Sequence, residues 1–75
     1  MDLKKFVKAF AAEFEETPAE SFTPETVYKD LAEWDSLIVL SIIALVDDEF
    51  NVRITGQDLR DCKTIEDIFN LATKK

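Results

Sequence analysis

Apolar side chains in this chain return at helical rather than strand spacing. Leu3, Phe6, Val7, Phe10 and Phe14 follow the i, i+3, i+4, i+7 intervals of one helix face. Asp2 is placed to cap that helix, and Thr17-Pro18 to end it, because helical geometry is disfavoured before a proline. The pattern predicts a second helix from Ser36 to Phe50, with Asp35 as its N-cap. A third stripe, Ile65, Ile68, Phe69 and Ala72, predicts a last helix that opens at Thr64 and ends in Lys74-Lys75, where cations suit the negative end of the helix dipole. Between the second and last helices, Val52-Arg53-Ile54 reads as a brief extended connector. Thr55 then caps a short helix beginning near Gly56, with Asp58 placed for the reciprocal bond; Thr64 and Asp67 repeat that pattern.

Residues 17–34 hold both prolines and show no period. Thr23-Pro24-Glu25 predicts a short turn near Pro24–Tyr28, and Phe22, Val27, Tyr28 and Leu31 are expected to pin the segment to the core. The fold class that follows is all-α: a four-helix bundle of three main helices and one short one, with a long loop between helices 1 and 2 and no strand. The aromatic stripe of the first helix is read as core.

At 75 residues the chain is expected to be a single domain, 1–75. A domain of this size buries only about 60% of the surface its unfolded chain exposes, so its core is thin. The net charge of −7 argues against nucleic acid and anionic membranes, and suits basic protein partners. The longest apolar run, Leu37 to Val46, is interrupted by Ser41 and is too short to span a bilayer. The start, Met1-Asp2-Leu3-Lys4-Lys5, lacks the features of a secretory signal, and the lone Cys62 excludes an internal disulfide. A cytoplasmic monomer is expected. With no histidine, Ser–His and Cys–His pairs and the commonest transition-metal ligand are missing. No catalytic residue and no metal site are assigned, and an enzyme is not expected. Cys62 has only Lys63 beside it as an activating group and is read as a packing residue.

On the second helix, Val39, Ile42, Ile43, Val46 and Phe50 cluster on one side, the expected core face. The opposite side holds Ser41, Ala44, Asp47 and Asp48 but also Leu37 and Leu40, with Ile38 and Leu45 on a flank. Two readings of those leucines stand: the long loop folds over them, or they dock partner proteins.

The tripeptide Asp35-Ser36-Leu37 opens this apolar helix and Asp47-Asp48-Glu49-Phe50 closes it. With Val52-Arg53-Ile54, the short helix after Thr55 and the last helix from Thr64, the chain resembles the acyl carrier proteins over essentially its whole length. The resemblance implies that a phosphopantetheinyl transferase moves 4'-phosphopantetheine from coenzyme A to the Ser36 hydroxyl as a phosphodiester. The arm's thiol then carries acyl groups as thioesters. Asp35, besides capping the helix, is implied to help position a metal ion during transfer. Partners implied are that transferase and the acyl-loading, synthase and acyltransferase enzymes. Their basic or mixed apolar surfaces would meet Leu37, Ile38, Leu40, Ser41, Ala44, Asp47 and Asp48. Acyl chains would be sheltered against Val39, Ile43, Val46 and Ile54, which read equally well as ordinary core. A serine in the first helical turn also makes physical sense, since the free N–H groups there favour a phosphate.

The chain departs from the family pattern at three positions. Trp34 stands where many members have a small residue, and Ile38 and Ser41 stand where carriers of fatty-acid biosynthesis place acidic docking residues. These changes imply a specialised pathway of lipid metabolism rather than the primary one. Two other readings compete with the carrier. One is a helical protein-interaction domain that has the carrier fold but no arm. The other is an EF-hand-like calcium loop with Asp47, Glu49, Asn51, Thr55 and Asp58 at positions 1, 3, 5, 9 and 12. That loop has Val52 where a sharp turn needs glycine and Asp58 where a bidentate glutamate belongs. Phe50 also continues the core stripe, which opposes unwinding at Asp47.

Overall fold

Helices in this chain start where a side chain can take up N–H groups that the helix leaves free. The structure, a computed structural model, describes residues 1–74. The Asp2 carboxylate accepts the Lys5 N–H at 2.8 Å, and Asp35 accepts that of Ile38 at 2.9 Å. Thr55 and Asp58 exchange bonds of 2.9 and 3.1 Å in a capping box. Thr64 and Asp67 exchange bonds of 3.1 and 3.2 Å in the same way. The four helices are α1 (Leu3–Ala12), α2 (Ser36–Phe50), α3 (Gly56–Asp61) and α4 (Ile65–Lys74). Lys75, expected to close the last helix with Lys74, lies outside the described residues.

α1 ends at Ala12, well before the Thr17-Pro18 stop that the sequence suggests. The N–H groups that a longer helix would tie to its own carbonyls go instead to the Glu33 carboxylate. Glu15 donates at 2.8 Å, Glu16 at 3.0 Å and Thr17 at 2.9 Å, and the Thr17 hydroxyl adds a bond of 2.8 Å. Phe14 stays buried although it lies beyond the helix. α2 stops at Asn51, which takes the left-handed conformation (φ 54°) that asparagine tolerates, and its N–H donates to the Asp47 carbonyl at 2.9 Å.

The long loop carries two single 3₁₀ turns, Ala19–Ser21 and Tyr28–Asp30. Between them the Thr26 N–H bonds to the Thr23 carbonyl at 3.1 Å, closing the turn expected at Pro24. Phe22 and Tyr28 are buried and Leu31 packs against the core, as expected. Val27 is different: its side chain is exposed and its backbone does the pinning. It pairs with Thr64 in an isolated antiparallel bridge, while the carbonyls of Pro24 and Thr26 accept the N–H groups of Glu66 (3.0 Å) and Ile65 (3.3 Å). The loop thus caps α4. Apart from that bridge, no β pairing forms among the described residues.

One continuous set of aromatic rings, joined through Phe6 and Phe10 at 6.1 Å, runs through the core. Phe6 sits 5.6 Å from Phe50 and 5.8 Å from Phe69, and Phe10 gathers Phe14, Phe22, Tyr28 and Trp34. Such ring pairs add about 0.5–1.5 kcal/mol each beyond the area they bury. The core face of α2 is narrower than its periodicity suggests. Ile42 and Val46 are fully buried, whereas Val39, Ile43 and Phe50 are only partly so, and the flanking Ile38 and Leu45 also pack on the core. α2 is apolar around most of its circumference, and shorter neighbours cannot cover it all.

Candidate functional site

Ser36 is the first residue of α2 and is exposed to solvent. The three residues before it are each fastened by a different interaction. Glu33 holds the chain after α1 as described. Trp34 is wedged among aromatic rings, 4.7 Å from Tyr28 and 6.5 Å from both Phe10 and Phe14, nearly parallel to the latter two. Asp35 caps α2 with its side chain and also accepts the Val39 N–H on its carbonyl at 3.0 Å. With Ile38 and Val39 so engaged, the N–H groups of Ser36 and Leu37 are left without a helical partner, beside the serine hydroxyl. The positive end of the helix dipole adds to a setting that favours an anion.

The loop behind Ser36 is tied to the end of α3. The Tyr28 hydroxyl, fully buried, donates toward the carbonyls of Leu59 and Cys62 at 2.5 and 3.0 Å. Burial pushes this phenol well above its usual value, and negative charge on Cys62, once it ionises at high pH, and on Asp67 adds to the effect. Next to it, the Lys29 ammonium donates to the Arg60 carbonyl at 2.6 Å. Cys62 is partly buried and packs on the core. Its thiol is pushed up by burial and by the carboxylates of Asp67, Asp58 and Asp61, against a smaller opposing pull from Lys29. It therefore stays a thiol, as a packing residue should.

Two grooves flank the start of α2, and their charge is opposite. One, of about 340 Å³, runs from Ser36 over Trp34, Val39 and Leu59 between Lys29 and Arg60. The other, of about 310 Å³, is lined by Glu13, Glu15, Glu33 and Asp35 beside Leu37 and Ile38. In that second groove desolvation alone would raise the Glu33 carboxyl. Its bonds from the Thr17 hydroxyl and from the backbone of Glu15, Glu16 and Thr17 outweigh this and lower it.

Leu37 and Leu40 are 73% and 62% exposed, so the long loop does not fold over them. Ala44, Asp47 and Asp48 are also exposed on α2, while Ile38 and Ser41 are partly covered. The four residues considered for sheltering an acyl chain do not meet at one opening. Val39 lines the groove beside Ser36, Ile43 is partly covered, and Val46 and Ile54 are closed in the core. The calcium-loop reading loses its geometry, because α2 continues through Asp47 to Phe50 and Thr55 and Asp58 bond to each other. No group of three or more carboxylates or thiols among the described residues could hold a metal ion. Nor is any helix among them long and apolar enough to cross a membrane. Glu33, Lys29 and Arg60 carried no signal in the sequence, since their partners lie 16 to 31 residues away.

A family model described as the phosphopantetheine attachment site matches residues 5–71. The acyl carrier protein of Thermobifida fusca (strain YX) is 37% identical over 57 residues, which cover 76% of this chain and 72% of that protein. The chain belongs to the acyl carrier protein family. No solved structure matches it significantly. As an acyl carrier protein it is a non-catalytic carrier whose prosthetic group is 4'-phosphopantetheine. The start of α2 fits such a group: it offers an exposed hydroxyl, unpartnered N–H groups and nearby cations.

Proposed function

We propose that Ser36 bears the phosphopantetheine arm as a phosphodiester and that this carrier holds acyl intermediates as thioesters on the arm's thiol. The observation that carries the reading is the exposed Ser36 hydroxyl at the first position of α2, on a backbone fixed by Trp34 and Asp35. Once attached, the arm supplies the thiol chemistry, and the protein supplies position and recognition. Asp35 combines its capping bond with a place beside the hydroxyl that suits a metal ion during transfer by a phosphopantetheinyl transferase.

Leu37, Leu40, Ala44, Asp47 and Asp48 offer partner enzymes an apolar start and an acidic end along α2. Surfaces of mixed apolar and basic character are the complement, on the transferase and on the acyl-loading, synthase and acyltransferase enzymes. The apolar start supports service in a specialised pathway rather than in primary fatty-acid synthesis. Intact-mass and fragment analysis of the protein purified from its own cells tests the attachment and its cargo, and assays with primary fatty-acid enzymes test the specialised role. The expected result is an arm on Ser36 carrying a thioester. An unmodified Ser36 in cells that modify their other carriers contradicts the attachment. Loading and elongation by primary fatty-acid enzymes as fast as on their own carrier contradicts the specialised role.

A further inference from the structure

The two grooves beside Ser36 give its surroundings a direction. On one side stand the carboxylates of Glu13, Glu15, Glu33 and Asp35. On the other side lie Lys29 and Arg60, with no carboxylate on the groove wall, in a chain whose net charge is −7. A phosphodiester on Ser36 carries a negative charge, so it is repelled from the first side and attracted to the second. Arg60 brings the planar guanidinium that suits phosphate oxygens, and Lys29 brings a compact point charge. The Lys29 bond to the Arg60 carbonyl holds the loop against α3 and so keeps the two cations on one groove. The floor of that groove, Trp34, Val39 and Leu59, is apolar.

Resting on the assignment of the arm to Ser36, we propose that Lys29 and Arg60 are its positioning residues. They pair with the phosphodiester and lay the first part of the arm along the Trp34–Val39–Leu59 groove, away from the acidic side of α2.

The test compares apo and enzymatically loaded protein by intact mass and by NMR, using the indole of Trp34, the only tryptophan in the chain, the methyl groups of Val39 and Leu59, and the phosphorus resonance. Loading is expected to shift the three groove signals. In the Lys29→Gln/Arg60→Gln double variant, the same arm by mass should lose most of those shifts and show a displaced phosphorus resonance. Arg60→Lys should retain them in good part. Loaded wild-type protein whose groove signals stay at their apo positions overturns the inference and leaves the Ser36 assignment standing. So does a double variant with undiminished shifts. Absence of any mass gain overturns both.

Discussion

Glu33 and Thr17 are joined twice: one oxygen of the Glu33 carboxylate accepts both the Thr17 backbone N–H, at 2.9 Å, and the Thr17 hydroxyl, at 2.8 Å. The other oxygen takes the Glu15 N–H. This single side chain ties the segment after α1 to the segment that leads into Ser36. Glu33→Ala should therefore lower the melting temperature and broaden amide signals over residues 13–17. An unchanged melting temperature would show that packing of Phe14 and Phe22 holds the segment without the carboxylate.

The same carboxylate gives stability a dependence on pH. Its hydrogen bonds hold it below the usual 4.5, so on acidification the unfolded chain takes up the proton first. The stabilisation is complete above the unfolded value and is lost as pH falls through the lower, folded one. Asp67 acts with the same sign, lowered first by the N–H bonds from Thr64 and Lys63. Melting curves between about pH 3 and 6 should fall on the acid side. Glu33→Gln should flatten part of that fall and leave the Asp67 part. Identical pH profiles for wild type and Glu33→Gln would contradict the assignment.

Tyr28 is buried and its hydroxyl serves the end of α3. Tyr28→Phe keeps the ring among Phe10 and Trp34 but leaves the Leu59 and Cys62 carbonyls without that donor. Equilibrium denaturation should show a loss of about 1–2 kcal/mol. Because the phenol is raised by burial, the folded protein should show no tyrosinate absorbance at its ordinary value of 10.0. Stability is full below that value and declines as pH rises above it, since the unfolded chain loses the proton first. Ordinary titration of this sole tyrosine in the folded protein would mean that the loop opens.

Leu37 and Leu40 stand clear of the core. Replacing both with Ser should change stability by no more than about 0.5 kcal/mol per site. Loading by a transferase and acylation by partner enzymes should slow, chiefly through a higher KM. Equal kinetics with a matched melting temperature would remove these leucines from the docking surface.

Much of this fold was legible because its signals are local. Asp2, Asp35, Thr55 and Thr64 cap helices through bonds to residues three positions on, so both partners of each bond stand within one short stretch of sequence. The apolar stripes identified most of the core by the same logic. The Glu33 bonds, the Tyr28 hydroxyl bonds and the Lys29–Arg60 contact span 16 to 34 residues and come from segments with no period, so nothing local announces them. Val27 shows the complementary failure. An apolar residue in a loop reads as a side-chain anchor, whereas here the backbone forms the bridge to Thr64 and the side chain faces out. At the candidate site, the cap at Asp35 and the place of Ser36 in the first turn of α2 were readable from the sequence. The charge difference between the two sides of Ser36 needed the fold that brings Lys29 and Arg60 together.

Attachment of the arm to Ser36 is the proposal on which the other site roles depend. Apo protein incubated with coenzyme A, magnesium and a broad-specificity phosphopantetheinyl transferase should gain the mass of one phosphopantetheine, and folded Ser36→Ala should gain none. No gain by the wild-type chain with several transferases active on other carriers, or an equal gain by Ser36→Ala, would contradict the account.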